Sequence, residues 1–205
     1  MSVESVCKYW DPSECEGTEH CPSRCPRFVD ATGSAWTVRP YAPSDRETLL
    51  EMYREFDDDD RAQGLPPLTD ERRAEWIDTL VEDGGNFVAI SDGEIAGHAV
   101  YMPTHDPEPE LAVFVHQAYQ DRGIGTELCK HVIADATAGN RDALVLEVEP
   151  SNRCAIGMYE RLGFERVEAD GRRSRIDRRA PSFRMRLELS ASTALTTRYP
   201  PIVRG

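Results

Sequence analysis

Apolar positions recur at two spacings along this chain, and the spacing changes several times. Trp36 to Tyr41 alternates with period two, which predicts a strand. Leu49, Met52, Tyr53 and Phe56 then fall at helical spacing behind Ser44 and Glu47, an S-x-x-E pair of the capping-box type. The segment DDDDRAQGLPPL reads as a loop by its charge run, its glycine and its paired prolines. Thr69 caps a second predicted helix, with Asp70 and Glu71 in its first turn and Trp76, Ile77, Leu80 and Val81 on one face. NFVAIS and EIAGHAVYM flank Asp92-Gly93 and predict a hairpin. ELAVFVH at 110–116 is another strand, and Ile124, Leu128, Val132 and Ala136 share a helical face. ALVLEVE at 143–149 is the continuous apolar run of a central strand. Asn152 to Leu162 is a short helix stopped by Gly163, and FERVEA and SFRMRLEL form a last strand pair around a basic loop. The order β-α-α-β-β-β-α-β-α-β-β implies an α+β fold, a mixed and mostly antiparallel sheet flanked by helices.

Composition sharpens this in three ways. The 205 residues suffice for one core with an appendage. A net charge of −13, with Lys8 and Lys130 the only lysines, opposes general nucleic-acid binding and suits a salt-adapted, halophilic proteome or simply an acidic one. The chain has no apolar run of about 18 residues and no basic-then-apolar start, so a cytoplasmic protein without a membrane partner is expected.

Residues 1–34 differ from the rest of the chain. They hold Cys7, Cys15, Cys21 and Cys25 with little periodicity, and are expected to form an extension before a main domain at 35–189, with a loose tail at 190–205. Four thiolates in a reducing compartment suit a tetrahedral structural zinc; His20 replacing one thiolate, an iron–sulfur cluster, or no metal are the alternatives. The main domain is expected not to depend on the extension, because the residues that carry a motif all lie after Glu110.

The first such motif is Gln120-Asp121-Arg122-Gly123-Ile124-Gly125. Two glycines open a helix, where they are poor helix formers. The backbone there either makes a tight link or must approach a ligand, and a helix N-terminus favours phosphate. Neither a Walker A loop nor a dinucleotide fingerprint matches. Downstream, Leu146 to Phe164 places Asn152, Ala155, Tyr159, Gly163 and Phe164 in the pattern L-x-V-x-x-x-N-x-x-A-x-x-x-Y-x-x-x-G-F. Together the two motifs resemble the GNAT superfamily of acetyl-coenzyme-A-dependent N-acetyltransferases over about residues 36–189.

The resemblance implies a cofactor, acetyl-CoA, and an amine acceptor. It implies that the backbone of Val113, Phe114 and Val115 pairs with the pantetheine arm. Amides from Asp121 through Arg122, Gly123, Ile124 and Gly125 to Thr126 hold the pyrophosphate behind Gln120. Asn152 positions the coenzyme, and Tyr159 sits near the thioester sulfur. Read from the residues alone, Asn152 is also a helix cap and Tyr159 also a core tyrosine. For the base that frees the amine of its proton, Glu110 and Glu147 compete, each matching a different branch of the family, with His98 and His116 behind them. Cys129 and Cys154 read as semi-buried, inert thiols, so direct transfer is expected over an acetyl-cysteine intermediate. The expected function is N-acetyl transfer to a protein lysine or N-terminal amine, ahead of a small amine. A coenzyme-binding sensor or interaction module is the alternative of another class.

Overall fold

The computed structural model describes residues 21–56, 65–167 and 182–190. Eight strands form one sheet: β1 (Arg27–Val29), β2 (Ala35–Pro40), β3 (Gly85–Ser91), β4 (Glu94–Met102), β5 (Glu110–Val115), β6 (Ala143–Val148), β7 (Glu165–Val167) and β8 (Phe183–Glu188). Four helices join them: α1 (Arg46–Arg54), α2 (Asp70–Asp83), α3 (Ile124–Ala138) and α4 (Arg153–Arg161). The sheet order is β1-β2-β3-β4-β5-β6-β8-β7, and every pairing is antiparallel except β5 with β6.

Alternation along the strands separates two apolar layers. Leu111, Val113 and Val115 of β5 join Phe87 and Ala89 of β3 in the cluster that takes Ile124, Leu128 and Val132 of α3 and Tyr159 of α4. Phe114 and Ala112 join Val88 and Ile95 in the cluster built on Leu49, Met52 and Tyr53 of α1 and Ile77 of α2. The period-two pattern thus places α3 and α4 against one set of strand residues and α1 and α2 against the alternate set. β6 lies between two strands, and five of its six residues are buried, as its apolar run requires.

Local signals hold with one exchange. Thr69 Oγ1 accepts from the Arg72 amide and Asn152 Oδ1 from the Ala155 amide, capping α2 and α4. Asp92 and Gly93 take φ of 51° and 85° in the β3–β4 turn. The start of α1 is organised by Asp45 rather than by Ser44 and Glu47. Its carboxylate accepts the Ala42 amide and takes a two-pronged ion pair from Arg39. A buried carboxylate held by an arginine fork is a stronger anchor than a solvated serine hydroxyl.

The sheet also begins earlier than residue 35. β1 pairs with β2 through Arg27↔Thr37, Phe28↔Trp36 and Val29↔Ala35. Arg24 is buried, and its guanidinium forks onto Glu127 of α3 at 2.5 and 2.7 Å. The described part of the cysteine-bearing segment is therefore built into the sheet and onto α3. Three residues of strand are too short for a periodicity signal, and an arginine has no reason to read as core until its carboxylate partner is known. Cys7, Cys15, the aspartate run 57–60, the basic loop 171–181 and residues 191–205 lie outside the described residues.

Candidate active site

β5 and β6 run side by side in parallel but share only one register pair, Glu110↔Val145. Beyond it the strands part, and a cleft of about 630 Å³ opens between them. Val113, Phe114 and Val115 form one wall, Glu149, Ser151 and Asn152 the other, and Ala155 and Met158 of α4 close one side. β4 occupies the far edge of β5 along its full length, from Gly97↔Val115 to Met102↔Glu110. The near edge of β5 is left facing the cleft, where an extended ligand can add as a strand.

The turn between β5 and α3 meets the same cleft. Gln120, Asp121, Gly123, Ile124, Gly125 and Thr126 all line it. Asp121 and Gly123 have φ of 58° and 88°, flanking Arg122 with left-handed backbone. Turns of this kind gather successive N–H groups into an anion-binding concavity, and here it opens onto the N-terminus of a 15-residue helix. Gln120 Nε2 donates to the Val115 carbonyl at 3.2 Å, tying the turn to the strand. Gly125 has a packing reason as well: a Cβ there would sit 3.3 Å from Val115 Cγ2 and 3.5 Å from Met158 Sδ. A glycine cradle, helix amides and an open strand edge fit a ligand with a polyanionic end and an extended, amide-bearing arm, which is the chemistry of a coenzyme A thioester.

Of the residues expected in the site, Glu110, Glu147, Tyr159 and Arg122 are not among those that line the cleft. The Arg122 side chain turns away from it: Nη2 donates to the Ala118 carbonyl at 3.0 Å and the guanidinium lies 5.2 Å from the Tyr119 ring centre. Tyr159 is buried against Phe164, one turn of α4 from the cleft-lining Ala155. Burial, with the Cys129 sulfur nearby, pushes its phenol well above the ordinary value, so the hydroxyl keeps its proton at neutral pH. Glu110 is buried at the vertex where β5 and β6 still pair. Glu147 is half-buried on β6, beside Arg184 of β8, and accepts from the Ser182 hydroxyl.

The two histidines separate clearly. His98 is fully buried and Tyr53, Asn86 and it form a chain: Tyr53 Oη to Nδ1 at 2.7 Å and Nε2 to Asn86 Oδ1 at 2.9 Å. Asn86 Nδ2 donates to the Leu80 and Gly84 carbonyls, so its Oδ1 must accept, Nε2 must carry the proton, and Tyr53 must donate to Nδ1. Burial lowers His98 to about 3 and keeps it neutral; it is a structural group, not a base. His116 lies beside the cleft instead, between the rings of Phe56 and Tyr119 and 3.3 Å from the Glu55 carboxylate.

The cysteines also divide. Cys129 is fully buried, and burial pushes its thiol up to about 12. Cys154 is exposed rather than semi-buried and lines the cleft, with Sγ 3.7 Å from Asp121 Oδ1. Of the expected zinc ligands, Cys21 is exposed and Cys25 buried. Among the described residues no group of three or more His, Cys, Asp or Glu side chains is placed to hold a metal. Sequence reasoning passed over Glu149, Ser151, Met158 and Arg161, which all line the cleft. A serine and an arginine on a helix or loop carry no signal of their own until the splayed strands define a cleft for them.

Residues 49–164, more than half of the chain, match the acetyltransferase (GNAT) family, and the chain belongs to it. It is 31% identical over 106 residues to an L-methionine sulfoximine/L-methionine sulfone acetyltransferase of Pseudomonas aeruginosa, a match covering 48% of this chain and 62% of that protein. It is 34% identical over 79 residues to the [ribosomal protein bS18]-alanine N-acetyltransferase of Escherichia coli, covering 38% of this chain and 53% of that one. The chain thus spans about three fifths or less of the length of these relatives. Among solved structures, the GNAT domain of S. lividans PAT superposes with a TM-score of 0.65 at 23% identity, over 85% of this chain and all of that one.

Proposed function

We propose that the protein is an acetyl-CoA-dependent N-acetyltransferase that moves the acetyl group directly to a primary amine. The observation that carries this is the meeting of an open β5 edge and the Gln120–Thr126 turn on one cleft. Backbone groups of Val113 to Val115 bind the pantetheine arm, the turn amides bind the pyrophosphate, and Asn152 orients the coenzyme. The coenzyme supplies an activated thioester; everything else is positioning and proton transfer. Glu110 or Glu147 takes a proton from the acceptor ammonium, directly or through water. A backbone N–H of β5 near Val115 stabilises the developing oxyanion. As the carbon–sulfur bond breaks and the carbon–nitrogen bond stays, Tyr159 gives its proton to the departing thiolate sulfur and regains one, directly or through water, from the surplus proton that the newly bonded nitrogen sheds. Cys7, Cys15, Cys21 and Cys25 enter no step.

A protein amine is favoured as acceptor. The similarity to the bS18-alanine N-acetyltransferase, a protein that acetylates a protein, supports that reading. The similarity to the L-methionine sulfoximine/L-methionine sulfone acetyltransferase supports a small amine as the second one. A turnover screen with acetyl-CoA against peptides carrying free N-terminal or lysine amines, and against free amino acids, decides between them. Acetyl-CoA binding without turnover of any amine would favour the sensor alternative.

A further inference from the structure

The turn that faces the cleft has a back, and the back is covered by residues 28–36. The Ala31 amide donates to the Arg122 carbonyl at 3.0 Å. The Phe28 ring lies on the side of Gly123 where a Cβ would point, its tip 3.5 Å from that position. Trp36 meets Tyr119 edge to face at 5.2 Å. Behind them Asp30 is buried, with its carboxylate wholly shielded from solvent.

Asp30 is an organised centre. Oδ1 accepts from the Thr32 amide and hydroxyl and from the Ser34 amide, at 2.7 to 2.9 Å, and Oδ2 accepts from Trp36 Nε1 at 2.9 Å. Burial alone would raise its pKa; the hydrogen bonds from Thr32, Trp36 and Ser34 outweigh it and hold the group at about 2. The carboxylate is thus ionised, and the cation it faces is Arg122, whose Nη1 lies 3.8 Å from Oδ2. This accounts for an arginine of a phosphate-binding turn that is folded away from the cleft. Its guanidinium donates to the Ala118 carbonyl, lies on the Tyr119 ring and comes within 3.8 Å of Asp30, while its carbonyl accepts from the Ala31 amide.

We propose that Phe28, Asp30 and Ala31 are positioning residues that fix the Gln120–Gly125 turn in its coenzyme-binding shape before the coenzyme arrives. The inference rests on the acetyl-CoA reading of the cleft. Its physical basis is preorganisation: a turn with left-handed residues at Asp121 and Gly123 has other accessible shapes, and a ligand that must select one loses affinity in proportion. The N-terminal segment is then part of the coenzyme site, not a dispensable arm.

The test uses the full chain with Asp30→Ala and, separately, Phe28→Ala. Calorimetry with acetyl-CoA is expected to show about tenfold weaker binding in each variant. Steady-state kinetics are expected to show the same rise in the acetyl-CoA KM, with kcat at saturating coenzyme and the acceptor KM within about twofold of wild type. Amide exchange across residues 121–126 in the coenzyme-free variants is expected to be faster than in the wild type. A merely structural loss would lower the melting temperature without this selective change. If Asp30→Ala does not fold, Phe28→Ala decides, because it removes the ring that stands beside Gly123 and leaves the Asp30 hydrogen bonds in place. Wild type that binds acetyl-CoA, with folded variants that bind it equally and exchange no faster, overturns the brace alone. Wild type that binds no acetyl-CoA overturns the coenzyme reading, and the brace with it.

Discussion

At the scale of single residues, the chemistry turns on where protons are held. The Tyr159 phenol is protonated throughout the working range, because burial makes its phenolate costly. Tyr159→Phe is expected to keep acetyl-CoA affinity and to lower kcat by roughly 10²-fold. An unchanged kcat under conditions where the chemical step limits turnover would reduce Tyr159 to a packing partner of Phe164. Glu110 and Glu147 are separated by a pH profile. Glutamine at the true base should erase the acidic limb of kcat/KM, since that limb reports the base gaining a proton and failing. The same replacement at the other glutamate should leave the limb in place. Glu110 is at the vertex of the splayed strands, and Glu147 accepts from a hydroxyl on the β8 side.

At the scale of elements, the decisive one is the turn into α3, and its two glycines differ. Gly123 has φ of 88°, and a Cβ there would meet the Phe28 ring at an ordinary contact distance of 3.5 Å, so its requirement is conformational. Gly123→Ala is expected to destabilise the fold by about 1 kcal/mol, measured by urea unfolding, and to weaken coenzyme binding as the turn is strained. Gly125 has ordinary backbone but little room: a Cβ would press on Val115 Cγ2 at 3.3 Å and touch Met158 Sδ at 3.5 Å. Gly125→Glu should put a carboxylate among the amides meant for phosphate and abolish acetyl-CoA binding; calorimetry on a folded variant that binds normally would count against the site. These glycines were legible in the sequence because glycine in a first helical turn is a local anomaly. So were the helices and the strands other than β1, whose two periods are also local. Arg24 with Glu127, 103 positions apart, was not legible, because a buried ion pair is defined only by tertiary contact. The same holds for His98, whose tautomer follows from Asn86 and Tyr53 on two other elements.

At the scale of the whole molecule, those buried histidines couple the fold to pH. Burial lowers His98 to about 3. Burial also lowers His131 to about 4, with Arg24 adding to the effect and Glu127 and the Cys25 backbone opposing it. Both sit below the ordinary value of 6.5, so below that pH the unfolded chain binds protons that the folded one refuses. Their contribution to stability is complete above about pH 6.5 and is lost as pH falls toward the folded values. By pH 4.5 each histidine accounts for roughly 2–3 kcal/mol of lost stability. The carboxylates Asp30, Asp45 and Asp78 are held below 3.8, and add their own loss only under more acidic conditions. Stability is therefore expected to decline between pH 6.5 and 4.5, before those aspartates titrate, with both sheet faces affected. His98 binds the α1–α2 side through Tyr53, and His131 sits on α3 against Phe87 and the Arg24–Glu127 pair. Urea unfolding at pH 7, 5.5 and 4.5 measures the slope. His98→Gln should be less stable than wild type at pH 7, where it forfeits the Tyr53 and Asn86 bonds, yet flatter across the interval, because one of the two proton-refusing groups is gone. Equal slopes for wild type and His98→Gln would mean that the acid sensitivity has another source, with the carboxylate-rich surface of this −13 chain the first to be tested by repeating the series at high salt.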